Sequence, residues 1–318
     1  MNRRIHPTVG VILGGLSFMV ADDAAQAAAK PPPFAAIQAV PMPYDQISFQ
    51  RDGVEVVRYH YGRQHERPFW FPLIGPAGRV VTRMGHPHDP MGHSHHNSVW
   101  ISHQKVNGVN FWEDPGPAKV VHQAIEKLED GSEAASLRVR NAWTGPDGKP
   151  LLIERRLMTV RPLPNDEWML IVELLIAPAS GDVTFGKTPF GIFAARVAKT
   201  MDVNDGGGTI RNSAGAVNEK AVFWKPARWV DYAGRVTADR SNGMTLMDHP
   251  TNPNHPSVFH VRNDGWMGAS FSFNGPYKLP AGEQLRLLYA LYVHDGVPTP
   301  DHIERRFAAF AQHKHAIK

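Results

Sequence analysis

Val54-Glu55-Val56-Val57-Arg58-Tyr59-His60-Tyr61 is the stretch that decides the fold: Val54 and Val56 flank a glutamate, and Tyr59 and Tyr61 alternate with Arg58 and His60. That period of two belongs to a strand with one buried and one wet face. The pattern returns on either side. Pro68-Phe69-Trp70-Phe71-Pro72 and Arg79-Val80-Val81 follow after turns, and further strands are expected at residues 99–103, 135–143, 151–160, 168–176, 209–211, 222–232, 243–248, 258–262, 268–273 and 285–294. Turn formers such as Gly145-Pro146-Asp147-Gly148 and Ser241-Asn242-Gly243 separate them. About a dozen short strands need a second sheet to bury their apolar faces, so the expectation is an all-β protein, a large antiparallel β-sandwich. Thr299-Pro300-Asp301 can cap a C-terminal helix from His302 toward His313, with Ile303, Phe307 and Phe310 on one face.

The 318 residues are 42% hydrophobic and 20% charged, enough to bury a core. Lys and Arg number 34 against 30 Asp and Glu, and no basic run is interleaved with aromatics, so a nucleic-acid partner is not expected. With Cys at 0, disulfides and thiolate chemistry are excluded. Arg3 and Arg4, the apolar stretch from Val9 to Val20 and Ala25-Gln26-Ala27 read as a signal peptide over 1–27. The alternative is a membrane anchor, but the apolar core is shorter than the about 20 residues that spanning requires. A periplasmic or secreted protein is expected, with no membrane attachment after cleavage. A Pro/Ala-rich spacer over 28–43 would then lead into a single domain over 44–318.

Six of the 17 histidines fall between His86 and His103, too dense for chance. If Gly92 to His96 is extended, His93 and His95 share one face and His96 points to the other. Two imidazoles can chelate a divalent metal, with His249, His255 or His260 completing the set. The same side chains serve acid/base chemistry without metal, and Asp89 could orient one of them. A solvated histidine-rich loop is the bland alternative.

These residues carry a resemblance. Arg67-Pro68-Phe69-Trp70-Phe71-Pro72-Leu73, Thr82-Arg83, His93-Ser94-His95-His96, Trp100 and Asn107-Gly108-Val109-Asn110-Phe111-Trp112 resemble the bacterial family labelled methane oxygenase PmoA-like, a domain of unknown function. Phe190-Gly191, Arg196, Arg228-Trp229-Val230-Asp231-Tyr232, His249-Pro250, His260-Val261-Arg262, Gly265-Trp266 and Tyr292-Val293-His294-Asp295-Gly296 extend the likeness over nearly all of the mature chain. The family block often reads Asp-His-Pro-His-His-Arg-Gly, whereas this chain has Gly92, Ser94, Asn97 and Ser98 in place of Asp, Pro, Arg and Gly. The resemblance implies a galactose-mutarotase-like supersandwich and an association with sugar breakdown.

The expected function is therefore an exported carbohydrate-active protein acting on a sugar or modified glycoside. His95, His96 and His260 are expected to transfer protons. Arg83, Trp100, His103, Asn110, Trp112, Arg196, Asp231, His249, Arg262 and Trp266 are expected to bind the substrate, and His93 with His95 to hold any divalent metal. Aromatic faces stack on pyranose rings while polar groups bond the hydroxyls. Two alternatives stand beside this: a non-catalytic carbohydrate-binding module, and a metal oxygenase using His93, His95 and Asp89.

Overall fold

The computed structural model describes Met1 and residues 35–317. The expected signal peptide and the start of the expected spacer lie outside the described residues. In chain order the strands are β1 (Ile37–Met42), β2 (Gln46–Arg51), β3 (Val54–His60), β4 (Phe69–Leu73), β5 (Val99–His103), β6 (Lys119–Glu129), β7 (Ala135–Thr144), β8 (Pro150–Pro162) and β9 (Trp168–Pro178). There follow β10 (Val183–Phe185), β11 (Gly191–Arg196), β12 (Thr209–Asn212), β13 (Lys225–Pro226), β14 (Trp229–Arg235), β15 (Ser241–Asp248), β16 (Val258–Arg262), β17 (Trp266–Ser270), β18 (Tyr277–Leu279) and β19 (Leu285–Asp295). Two short helices, α1 (Val203–Gly206) and α2 (Asn218–Val222), interrupt them, and α3 (Pro300–Phe310) ends the run.

A nine-stranded sheet runs β1-β2-β3-β4-β5-β11-β17-β16-β13 and an eight-stranded sheet runs β12-β14-β15-β19-β9-β8-β7-β6. Their pairings are antiparallel. The protein is thus all-β, an antiparallel sandwich. Ile101, Val261 and Met267 of the first sheet and Leu137, Val172 and Leu291 of the second belong to one buried cluster, which is the core between the sheets. The second sheet's outer face, with Met169, Ile171, Met247 and Tyr292, packs against Ile303, Phe307 and Phe310 of α3. That helix starts as its sequence dictates, with the Thr299 side chain accepting from the His302 N–H and Pro300 in the first turn. No helix among the described residues is long and apolar enough to cross a membrane.

Three departures from the sequence reading have physical causes. Part of the expected spacer is β1, because Ile37 and Ala39 bury in the core while the strand pairs with β2. β11 shows no alternation because all six of its residues are buried, one face by the core and the other, at Ala194, by the cluster of Trp100, Trp112 and Trp266. The strand expected over 222–232 is broken: Val222 ends α2 and Trp224 takes a left-handed φ of 54°, so β13 and β14 form separately.

Candidate functional site

Register across five strands of the first sheet builds the floor of a site on its outer face. Phe69 pairs with Trp100, Trp100 with Ala194, Ala194 with Gly268 and Gly268 with His260, forming one row from β4 to β16. Two small residues between large ones make a trough. A Cβ on Gly268 would meet Trp266 at 3.0 Å, so the glycine is what lets that indole lie low. The next outward row is Arg196, Trp266 and Arg262. Above the trough lies a cavity of about 260 Å³ lined by His93, His95, His96, Gln104, Trp112, Glu113, Phe190, Arg196, His260, Arg262, Asp264 and Trp266.

One wall is the histidine loop, closed at its neck where Met84 bridges Asn97 and the Gly85 N–H donates to the His96 carbonyl. The loop is curled rather than extended: the Gly92 N–H donates to Asp89 Oδ1 and the His96 N–H to the His93 carbonyl. That turn brings His93, His95 and His96 to the same cavity, where alternation along a strand would have separated them. Arg67, fully buried, ties this wall to the next. Its guanidinium donates to Asn97 Oδ1 (2.6 Å) and the His95 carbonyl on one side, and to Asp114 and the Phe111 and Trp112 carbonyls on the other. Asn110 Oδ1 accepts from the Trp112 and Glu113 N–H groups and so bends both residues toward the cavity.

Ser98, at the exit of the loop, has a φ of 63°, a conformation that suits glycine better than serine. Its hydroxyl compensates by donating to Thr82 Oγ1 at 2.7 Å. Ser98→Gly, which loses the bond but relieves the backbone, is expected within about 1 kcal/mol of the parent. Ser98→Ala, which loses the bond and keeps the strain, should cost about 1–2 kcal/mol. Urea melts of both variants check this; equal stabilities would sink it.

The histidines divide by what holds them. His96 lies between Trp100 (5.4 Å, 26°) and Trp266 (5.1 Å, 19°), and its Nδ1 accepts from Arg196 Nε at 2.9 Å. Burial and then the Arg196 charge hold its pKa far below the ordinary histidine range, so the ring stays neutral with its proton on Nε2. His96 is thus a wedge in an aromatic stack, its Nδ1 lone pair taken by Arg196. His95 is pushed down to about 4 by burial and by Arg67, and His260 to about 4 by burial and by Arg262. Both are neutral at pH 7. His93 differs, since its Nδ1 donates to Asp89 Oδ2 at 2.8 Å, which leaves Nε2 with the lone pair. Asp89 is held below the ordinary carboxyl range by the Gly92 N–H and by His93. Burial opposes ionisation of Asp264, but Arg196 and the His86 bond at 2.9 Å outweigh it and keep its pKa low.

Of the residues singled out in the sequence, His93, His95, His96, Trp112, Arg196, His260, Arg262 and Trp266 line the cavity, and Trp100 lies beneath it. Arg83 braces the neck through its N–H to the Arg196 carbonyl and does not line the cavity. Three residues sit elsewhere. His103 is three positions from Trp100, so strand parity turns it into the sandwich interior, where its Nε2 bonds Ser272 Oγ at 2.9 Å. Asp231 is buried in the second sheet, accepting from His294, Arg211 and Thr245. His249 packs its ring on Phe310 of α3, 5.0 Å away. As for the metal, no group of three or more His, Asp or Glu among the described residues is arranged to hold an ion, so His93 and His95 remain two ligands without a third.

Gln104 and Asp264 have no place in the sequence analysis, and Phe190 enters it only through the Phe190-Gly191 resemblance. Asp264 was legible as the Asp-Gly of a tight β16–β17 hairpin, with Gly265 at φ 98°, but not as the partner of Arg196.

No curated protein matches the chain. A crystal structure of the GalM/aldose epimerase homologue from C. elegans resembles 83% of this chain and 100% of that one, at 9% identity and a TM-score of 0.34, a likeness too faint to carry an argument. The model of a family of unknown function, DUF6807, matches residues 46–308, a span that holds both floor rows, the histidine loop and Arg67, and the chain belongs to that family.

Proposed function

We propose that the protein is a carbohydrate-active enzyme that binds a sugar or glycoside in this cavity and moves a proton on it, with His93 as the base. The observation that carries the reading is the convergence of Trp112, Phe190 and Trp266 with neutral imidazoles, two arginines, two carboxylates and an amide around one cavity. Apolar ring faces suit the C–H faces of a pyranose, and the polar groups suit its hydroxyls. Asp89 fixes the His93 tautomer, which makes Nε2 the basic nitrogen of a cavity-lining ring. His95 and His260, neutral above about pH 5, accept from or donate to hydroxyls rather than supplying an imidazolium. Mutarotation, elimination and hydrolysis share the proton transfer. The oxygenase alternative needs a three-ligand facial set, which these residues do not form, and it is not proposed.

The test is a panel of mono- and oligosaccharides followed by product mass and anomer-resolved NMR, on wild type and His93→Gln. Gln keeps polarity and cannot titrate, so turnover should fall about 100- to 10,000-fold with binding within a few fold. Binding without conversion by wild type would favour the carbohydrate-binding module. Unchanged turnover in His93→Gln would remove His93 from the chemistry.

A further inference from the structure

Past His260 the aromatic lining continues out of the cavity. Phe223 lies 5.0 Å from the His260 ring and Trp224 6.2 Å, and Phe223 carries the Arg262 guanidinium 5.8 Å above its ring. We propose that Phe223 and Trp224 form a second sugar subsite continuous with the cavity, so that the ligand is an oligosaccharide or glycoside of at least two rings rather than a free monosaccharide. The proposal rests on the carbohydrate reading above and narrows its substrate class.

Three features of Trp224 support it. It is 47% exposed, an unusual cost for the largest apolar side chain on a sheet edge. Its φ of 54° is strained for a bulky residue, and the strain is held by its N–H to the Phe259 carbonyl (2.9 Å) and by the pairing of Lys225 with Phe259. The indole is also fixed in place, stacked on Phe223 (4.6 Å, 22°) and edge-on to Phe273 (5.6 Å, 62°). A rigid, open, pre-oriented ring is what a stacking platform requires, because little entropy is lost on binding. Its indole N–H has no protein partner among the described residues and is free to donate to a hydroxyl. Arg262 and Glu219, paired at 2.8 Å, give the platform a polar rim. The cavity itself, about 260 Å³, has room for about one pyranose ring, so a second ring must lie outside it.

The experiment is titration calorimetry with methyl glycosides of glucose, galactose, mannose and xylose against their β-1,4-linked disaccharides, on wild type, Trp224→Ala and Trp224→Phe. Expected is a disaccharide bound about 10-fold tighter than its methyl glycoside, with that gain lost in W224A, largely kept in W224F, and the methyl glycoside unchanged within about 2-fold. Equal affinities of W224A and wild type for the disaccharide, or equal losses on both ligands, would overturn the subsite while the carbohydrate reading stands. A W224A change in sedimentation with unchanged sugar affinity would reassign the platform to a second copy of the chain. If no member of either series binds wild type, both readings fall together.

Discussion

Lowering the pH from about 6.5 to 4 is expected to remove a large part of the protein's stability. His103, pushed down to about 3 by burial, and His260, pushed down to about 4 by burial and Arg262, are neutral in the fold and protonate near 6.5 once it opens. The unfolded chain therefore binds more protons across this window. The stabilisation is complete above 6.5, declines below it, and is gone once the pH has fallen through the folded pKa values. Each group contributes about 3 kcal/mol when the window is crossed, and His95 and His96 act in the same direction. Against a total stability of about 5–15 kcal/mol, that is a large share, and the free energy of unfolding should fall steadily as the pH drops through this window. The carboxylates held low, among them Asp231 and Asp264, add their losses only at lower pH. Urea melts at pH 7.5, 6, 5 and 4.5 would show the slope; a free energy of unfolding that stays flat over that range would refute the account.

Arg67→Ala should be the most damaging single substitution at the site, costing about 3–5 kcal/mol and abolishing ligand binding. The side chain is fully buried and satisfies acceptors on both walls at once, so its loss strands the Trp112 carbonyl, leaves the Phe111 carbonyl with the Ser102 hydroxyl alone and takes from Asp114 its cation. Lys should not rescue it, because one ammonium cannot reproduce a planar fork that reaches Asn97 and Asp114 together. Equilibrium unfolding and calorimetry with the sugar panel test both parts. A variant within about 1 kcal/mol of wild type would mean the loops hold without the bridge.

Local chemistry carried some of this information in the sequence. Alternation over residues 57–60, where Val57 and Tyr59 bury and Arg58 and His60 do not, carried the all-β class because the side-chain period of a strand is independent of its neighbours, whereas Val54 before it is exposed. Thr299-Pro300 fixed the start of α3 because capping is satisfied within one turn. The density of histidine between His86 and His103 marked a wall of the cavity for the plain reason that five of the six lie on one short loop, with His103 on β5 beyond it.

What only the tertiary structure decided is who stands beside whom. Trp100, Ala194, Gly268 and His260 form one row because β5, β11, β17 and β16 pair in that order and register, and Ala194 is paired to Trp100, 94 positions before it, and to Gly268, 74 positions after it, in a way that no local pattern encodes. Parity placed Trp100 and His103 on opposite faces of β5, but which face borders the core was set by the second sheet packing against the first. Asp231 and His249, polar residues in motifs like those of the site, went to the second sheet and the α3 face for the same reason. Arg67 became the brace between two loops because the fold brought Asn97 and Asp114 within reach of one buried guanidinium, a coincidence of three distant segments.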